Sequence, residues 1–311
     1  VFNFEPSSTN LLPYSEDFDV WTNIANVTFD KGYPSPDGGN NATKITCTDT
    51  SGIAFVAYRL DMQSNQTKSI YIKGTQGETT RTLDRYTDTS TPLTVLTGEW
   101  QRVDVNAVNL EFFYTVDFRG GTAREIYVWG AMAEPLPYAT SYIPNNGSTE
   151  GVTRLADQPQ PFGNSDLINS QEGVFYVKIN ALANTNDYRS IVLSSGSISN
   201  RVSIQYWNDG SRIRTRHFAN GESLSHYITP SSQDEISEIA IVYSSTVFQV
   251  YYNQTLVTTK VPTTSMSEGV LTSVNFDDGT GSNSNRFEGD LHDLRVYKSI
   301  EEAKQDLTYI Q

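Results

Sequence analysis

The sequence predicts an all-β protein: two β-sandwich domains in tandem, with a short helix at the C-terminus. Three observations point there. Apolar and polar residues alternate with a period of two in many short runs, each bounded by Gly, Asn, Asp or Pro. Tyr (18) and Phe (14) are abundant, and such rings suit a pleated, half-buried surface. The hydrophobic fraction is only 37% over 311 residues, which fits two thin cores better than one thick one.

In chain order, SIYIK from Ser69, RVDVN from Arg102, FFYTVDF from Phe112 and EIYVW from Glu125 read as strands of the first half. The last of these runs into Pro135 and Pro137, which cannot donate to a ladder. Asn145-Asn146-Gly147-Ser148 then reads as a flexible turn. A connector over 145–171 is therefore expected between a first domain at 8–144 and a second at 172–311, with residues 1–7 as an N-terminal arm. GVFYVKI from Gly173, RVSIQYW from Arg201, EIAIVY from Glu238, VFQVYY from Val247 and DLRVY from Asp293 supply the second set of strands. At the end, Ser299 and Glu302 form a capping box. Ile300, Ala303, Leu307 and Ile310 recur at helical spacing, so one face of this helix packs on a sheet.

The formal net charge is −14 and the sequence pI is about 4.6. Phosphate recognition needs a basic footprint, so nucleic acid is not the expected partner. The single cysteine, Cys47, cannot form an internal disulfide. No apolar run approaches the roughly 20 residues of a membrane helix, and no membrane insertion is expected.

For chemistry, the three histidines (His217, His226 and His292) have no metal-ligand spacing. No G-x-S-x-G elbow occurs, and the glycine-rich Asp277 stretch lacks the Lys and helix of a phosphate cradle. Asp277, Asp278, Asn283 and Asn285 crowd one loop with hard oxygen donors, a candidate calcium site. Trp207 offers the best candidate for sugar recognition. In RVSIQYW, Val202, Ile204 and Tyr206 share one face, which leaves Ser203, Gln205 and Trp207 on the polar side. After the Asn208-Asp209-Gly210 turn, Arg212, Arg214 and Arg216 alternate along the next strand. Aligned with Trp207, they would make a basic, aromatic patch able to clamp the carboxylates of an acidic polysaccharide. The competing expectation is that these arginines pair with local Asp and Glu, and that Trp207 packs against a neighbouring subunit.

Four segments in order carry a family resemblance: TNLLPYSEDFDVWT, PDGGNNATKIT, GEWQRVDV and YVWGAMAEPLPYATSYIPNNGSTEGVTRLAD. Over residues 9–157 they resemble a recurring segment of tailed-bacteriophage virion structural proteins of tail-fibre-like or head-fibre-like type. The resemblance implies a jelly-roll sandwich similar to carbohydrate-binding modules, with Trp21, Trp100 and Trp129 in its pattern and its core. It also implies a structural calcium near Glu16 and Asp17, although Trp129-Gly130 stand where a completing aspartate would be. EIAIVYSSTVFQVYYNQTLV and RFEGDLHDLRVYKSIEEAKQDL resemble the paired and closing strands of concanavalin A-like, laminin-G-like sandwiches. Gln254 replaces the usual hairpin glycine, so a locally different turn is expected. Glu288, Asp290 and Asp293 superficially match the alternating carboxylates of sandwich-fold glycosidases. Their place on the closing strand argues against catalysis.

Together these resemblances imply a non-enzymatic protein on the virion surface: a fibre, spike or capsid decoration that adheres to host or environmental glycans. Other virion proteins of capsid or tail would be its partners, and a homo-oligomer, with a trimer favoured, would supply avidity. The alternatives are a secreted bacterial carbohydrate-binding protein or adhesin, and an architectural capsid cement with no ligand.

Overall fold

In the computed structural model, which describes residues 1–49, 53–62, 66–82, 92–106, 111–182, 187–282 and 284–311, the chain is almost wholly antiparallel strand. It divides into two units, Ser7–Ala156 and Val1–Pro6 with Asp157–Gln311. The first strand, β1 (Phe2–Phe4), therefore belongs with the second half of the sequence.

The Ser7–Ala156 unit holds β2 (Ser8–Asn10), β3 (Asn23–Ala25), β4 (Val27–Tyr33), β5 (Ala42–Cys47), β6 (Phe55–Met62) and β7 (Thr67–Lys73). It continues with β8 (Thr79–Thr82), β9 (Thr94–Val95), β10 (Gln101–Asn106), β11 (Glu111–Asp117), β12 (Glu125–Glu134) and β13 (Val152–Arg154). Two five-stranded sheets, β10-β7-β12-β5-β4 and β3-β6-β11-β8-β9, accompany a small β13-β2 ribbon. The alternation seen in the sequence sends Ile45, Ile70, Ile72, Val116, Ile126 and Val128 into one core with Phe18 and Trp21. Strand β12 ends at Glu134, immediately before Pro135, as the missing proline donor requires. Its bulge lies between Trp129 and Met132. There Gly130 has φ 61°, and a Cβ would come within 3.3 Å of the Tyr142 ring. Trp129 is buried against Tyr71 and Tyr142, whereas Trp100 is only half-buried.

Two expectations are corrected here. Residues 1–7 are not a free arm: Phe2, Asn3 and Phe4 pair with Leu291, Asp290 and Gly289. Phe4 packs 4.8 Å from Phe276, ring centre to ring centre, because a buried aromatic gains more than a solvated one. Residues 145–171 are not a linker either. Asn145 is fully buried, and Val152–Arg154 pair with Ser8–Asn10. On the other side of the division, Asp157 donates its N–H to the Glu5 carbonyl, and Phe162 pairs with Val274. The polar side chains that look like loop composition instead satisfy buried backbone groups.

The second unit adds β14 (Gly173–Ala181), β15 (Arg189–Ser194), β16 (Arg201–Tyr206), β17 (Ile213–Ala219), β18 (Glu222–Ile228) and β19 (Ser237–Tyr243). After them come β20 (Phe248–Tyr252), β21 (Thr255–Lys260), β22 (Ser273–Asn275), β23 (Gly289–Tyr297) and α1 (Ile300–Asp306). A six-stranded sheet, β1-β23-β14-β19-β20-β21, and a five-stranded sheet, β18-β17-β16-β15-β22, share one core. Strand β14 is buried on both faces. Phe175, Val177 and Ile179 enter the core between the sheets, while Val174 and Tyr176 pack under α1 with Ala303, Leu307 and Ile310. The helix starts as the capping box requires: Ser299 Oγ accepts the Glu302 N–H at 3.2 Å. The β20–β21 hairpin keeps a two-residue turn despite the missing glycine, with Asn253 at φ 47° and Gln254 at φ 65°. These are two tandem β-sandwiches closed by a short helix.

Candidate functional site

The five-stranded sheet of the second unit has one face in the core and one face outside it. Inward go Val202, Ile204 and Tyr206 from β16, and Ile213 and Ala219 from β17. The pleat therefore turns Arg201, Ser203 and Gln205, and Arg214 and Arg216, to the other side. Register then sets the pattern across the strands. Gln205 faces Arg214 and Ser203 faces Arg216; Arg214 in turn faces Tyr227 on β18. A tight turn joins β16 to β17, in which the Trp207 N–H bonds the Arg212 carbonyl at 2.8 Å. Gly210, at φ 67°, is required there because a Cβ would lie 2.5 Å from the Gln233 amide. Trp207 and Arg212 thus stand side by side at the end of the ladder.

The structure brings all four sequence-predicted residues together, but with Trp207 in a different role. The Arg212 guanidinium lies 4.4 Å from the Trp207 ring centre and 4.9 Å from that of Tyr227. Arg214 lies 5.4 Å from Trp207. Tyr188 and Tyr227 meet the same indole edge to face at 5.0 and 5.7 Å. Trp207 is therefore a cation–π platform for two arginines rather than a bare ring for a sugar. The exposed ring is Tyr227, at 43%.

Below the arginines lies a polar floor. Arg214 donates to Gln205 Oε1 at 2.6 Å, and Gln205 Nε2 donates to Ser190 at 3.0 Å. Arg216 Nε donates to Ser223 Oγ at 2.8 Å. Arg201 donates to the Asp278 carbonyl at 3.2 Å. Among the described residues, no carboxylate lies within the 4.0 Å of an ion pair from Arg201, Arg212, Arg214 or Arg216. The Nε atoms of Arg201, Arg212 and Arg214 are buried without a hydrogen-bond partner. The expected ion pairs with local Asp and Glu are not formed among the described residues, although the charge of Asp278 partly offsets the downward shift of Arg201, and Arg212 acts on Asp209 at longer range. Burial pushes the Arg201 guanidinium down from its ordinary pKa, and the charge of Arg214 adds to this. Burial, Arg201 and Arg214 do the same to Arg216. The like charges converge closely enough to feel one another.

Sequence reasoning missed three members of this face. Arg201 was legible, since it shares the parity of Ser203 and Gln205. Tyr188 and Tyr227 were not, because only register across β15–β18 places them beside Trp207.

The loop singled out for calcium borders the same face. Ser194 Oγ donates to the Gly279 carbonyl at 2.8 Å, and Arg201 reaches Asp278, so the loop walls the β15 side. Asp277 Oδ1 accepts the Gly279 N–H at 2.7 Å. Asp278 Oδ1 accepts from the Thr280 N–H and hydroxyl at 3.0 and 2.6 Å. Asn285 has φ 58° and offers its carbonyl to the Ser190 N–H; Asn283 lies outside the described residues. Among the described residues, no three His, Cys, Asp or Glu gather as a metal-binding group. In the first unit, Glu16 accepts from Tyr142 Oη at 2.9 Å and from Asn41 at 2.6 Å, while Asp17 pairs with Lys31.

The carboxylates in and beside the closing strand have different surroundings. Burial pushes Glu288 up, opposed by Arg189. Asp290 accepts from Asn180 at 3.1 Å, and Asp293 pairs with Arg295 at 2.6 Å. His217 is a core histidine between Tyr243 and Phe248, and His292 bonds Asn180 at 2.8 Å.

With this geometry in place, comparison with known proteins shows what parts of the chain are similar to. Residues 174–305 match the model of the laminin-G-type family described as the concanavalin A-like lectin/glucanases superfamily. Among solved structures, the chain is similar to the CBM40 of the Ruminococcus gnavus IT-sialidase: 9% identity and a TM-score of 0.39 over 49% of this chain and 92% of that one. It is also similar to sheep galectin-11 (11%, TM-score 0.30, 45% and 98%) and to the leech intramolecular trans-sialidase (14%, TM-score 0.37, 47% and 25%). No curated protein matches the chain.

Proposed function

We propose that this chain is a non-enzymatic adhesion protein that binds acidic polysaccharide through the outer face of β16–β18, and that it works on the surface of a tailed-phage particle. One observation carries the binding site: four arginines share an aromatic, polar face with no ion-paired carboxylate among the described residues, in a protein of net charge −14. Such a cluster destabilises the unliganded protein through mutual repulsion and burial, and an anion relieves both. Guanidinium forks match carboxylate and sulfate groups bidentately. The concanavalin A-like match over 174–305 supports the fold in which the site is set. Resemblance of residues 9–157 to phage virion proteins supports the setting, with capsid or tail proteins as partners and a homo-oligomer, a trimer favoured, as the form.

Many copies on one particle turn weak contacts into avidity, so single-site affinity need not be high. Calcium at Asp277, Asp278 and Asn285 belongs to the same proposal, as a brace for the loop beside Arg201. The test is binding of the purified protein to a panel of acidic and neutral polysaccharides, with and without a chelator, and with released reducing sugar assayed in the same tubes. Selective retention of acidic polymers without sugar release is expected. Retention of none, or release of sugar, overturns the reading. Binding unchanged by chelation removes calcium from it. Mass spectrometry of purified particles tests the virion setting.

A further inference from the structure

The arginine face has two ends that differ in chemistry, and this difference bears on what kind of ligand fits it. At one end Arg201 and Arg216 flank Ser203, which is itself only 5% exposed. Register sets Ser203 opposite Arg216, with Arg201 two residues away on the same face of β16. At the other end Tyr227 presents a partly exposed ring beside Trp207, with Arg212 over both rings and Arg214 opposite Tyr227 and 5.4 Å from Trp207. Four residues take the chain from Ser203, where the anion would sit, to Trp207, roughly 13 Å at the rise of a strand. No single sugar reaches from one end to the other.

Resting on the binding reading above, we infer that this face is a two-part track that takes an acidic polysaccharide lengthwise. Arg201 and Arg216 hold one carboxylate or sulfate over Ser203, while the exposed part of Tyr227, beside Arg212 and Arg214, receives the face of a sugar further along the chain. A sugar ring stacks its C–H face on an aromatic ring and leaves its hydroxyls for polar neighbours. Trp207 acts through the arginines that it orients, as a positioning residue.

Charge density selects this occupant over nucleic acid. Duplex DNA carries a charge about every 1.7 Å of axis, and a protein of net charge −14 repels it along its whole length. A polysaccharide spaces its charges by whole sugars, so one acid group can meet Arg201 and Arg216 while neutral rings lie over Tyr227.

The test is calorimetric titration of the full chain with size-fractionated oligosaccharides of polygalacturonate (carboxylate), dextran sulfate (sulfate) and dextran (neutral), with oligothymidylate as the phosphate arm. Affinity for one or both acidic series is expected to rise steeply once the chain is long enough to span the track, then level off. Arg201→Gln is expected to weaken the longer acidic oligomers about tenfold, the worth of a charged hydrogen bond, without lowering the melting temperature. Tyr227→Ala should weaken the long oligomers and leave the shortest ones unchanged. Trp207→Phe, which keeps a ring under the arginines, should recover most of the affinity lost in Trp207→Ala.

A wild-type protein that binds none of the polysaccharides overturns the binding reading itself. Acidic oligomers that bind wild type and Arg201→Gln equally, or that bind equally at every length, overturn the two-part track alone. Equal, Arg201-dependent binding of oligothymidylate overturns the choice of polysaccharide.

Discussion

The guanidinium of Arg212 lies 4.4 Å from the centre of the Trp207 ring, directly across the turn that joins β16 to β17. Backbone pairing of the two residues holds both partners in place: the Trp207 N–H bonds the Arg212 carbonyl. A cation over an indole face is worth about 0.5–2 kcal/mol depending on desolvation. Trp207→Ala is therefore expected to lower stability by about 1 kcal/mol, with Trp207→Phe closer to wild type. Thermal unfolding of the three proteins side by side checks this. A Trp207→Ala protein as stable as wild type would mean that the indole does not anchor the arginine.

Acid should weaken the second unit through His217. Its ring is buried between Tyr243 and Phe248, and its Nδ1 has no hydrogen-bond partner. Burial pushes its pKa below the ordinary 6.5. The sign follows from linkage: as pH falls through 6.5 the unfolded chain binds the proton first, so stability is intact above that value and is lost below it, toward the lower folded pKa. His226, lowered by burial and by Lys260, acts in the same direction. His217→Phe should flatten the loss of stability between neutral pH and the acid limb. An unchanged pH profile in urea unfolding would remove His217 as its source.

Asn145 ties the end of the first unit to its beginning. Its Oδ1 accepts the Gly147 and Ser148 N–H groups at 3.2 and 2.8 Å, and its Nδ2 donates to the carbonyls of Asn10 and Ser148 at 3.3 and 3.0 Å. The side chain is fully buried, and loss of its bond to the Asn10 carbonyl leaves a buried acceptor that water cannot reach. Asn145→Ala is expected to destabilise this unit by roughly 2–4 kcal/mol. Urea unfolding followed by tryptophan fluorescence, to which buried Trp21 and Trp129 contribute, reads the change. A shift under half the lower bound would show that the clamp is replaceable.

At the β20–β21 turn, Gln254 sits at φ 65°, where an L side chain is strained. Gln254→Gly should raise stability by about 1 kcal/mol. Asn253→Gly should not, because the Asn253 side chain also accepts the Glu238 N–H at 3.0 Å. Melting temperatures of the two variants decide the matter, and a gain in the second but not the first would reverse the account.

Strand alternation, the proline stop after Glu134 and the Ser299 capping box are local signals, and by itself the sequence determined the β-sandwich class, most strands and the helix. Alternation also put Ser203, Gln205 and Trp207 on one side of β16 and grouped Arg212, Arg214 and Arg216 on the next strand, because a side-chain period of two needs no partner strand to operate. Register was beyond it. Only pairing across β15, β16, β17 and β18 sets Arg214 beside Tyr227, brings Arg201 into the cluster and covers Trp207 with arginine. The placement of residues 1–6 and 145–171 was equally non-local. Phe2–Phe4 find their partners at Gly289–Leu291, and Val152–Arg154 at Ser8–Asn10. Composition identifies such segments as polar or short, but their partners lie far along the chain, and long-range pairing is what the tertiary structure decides.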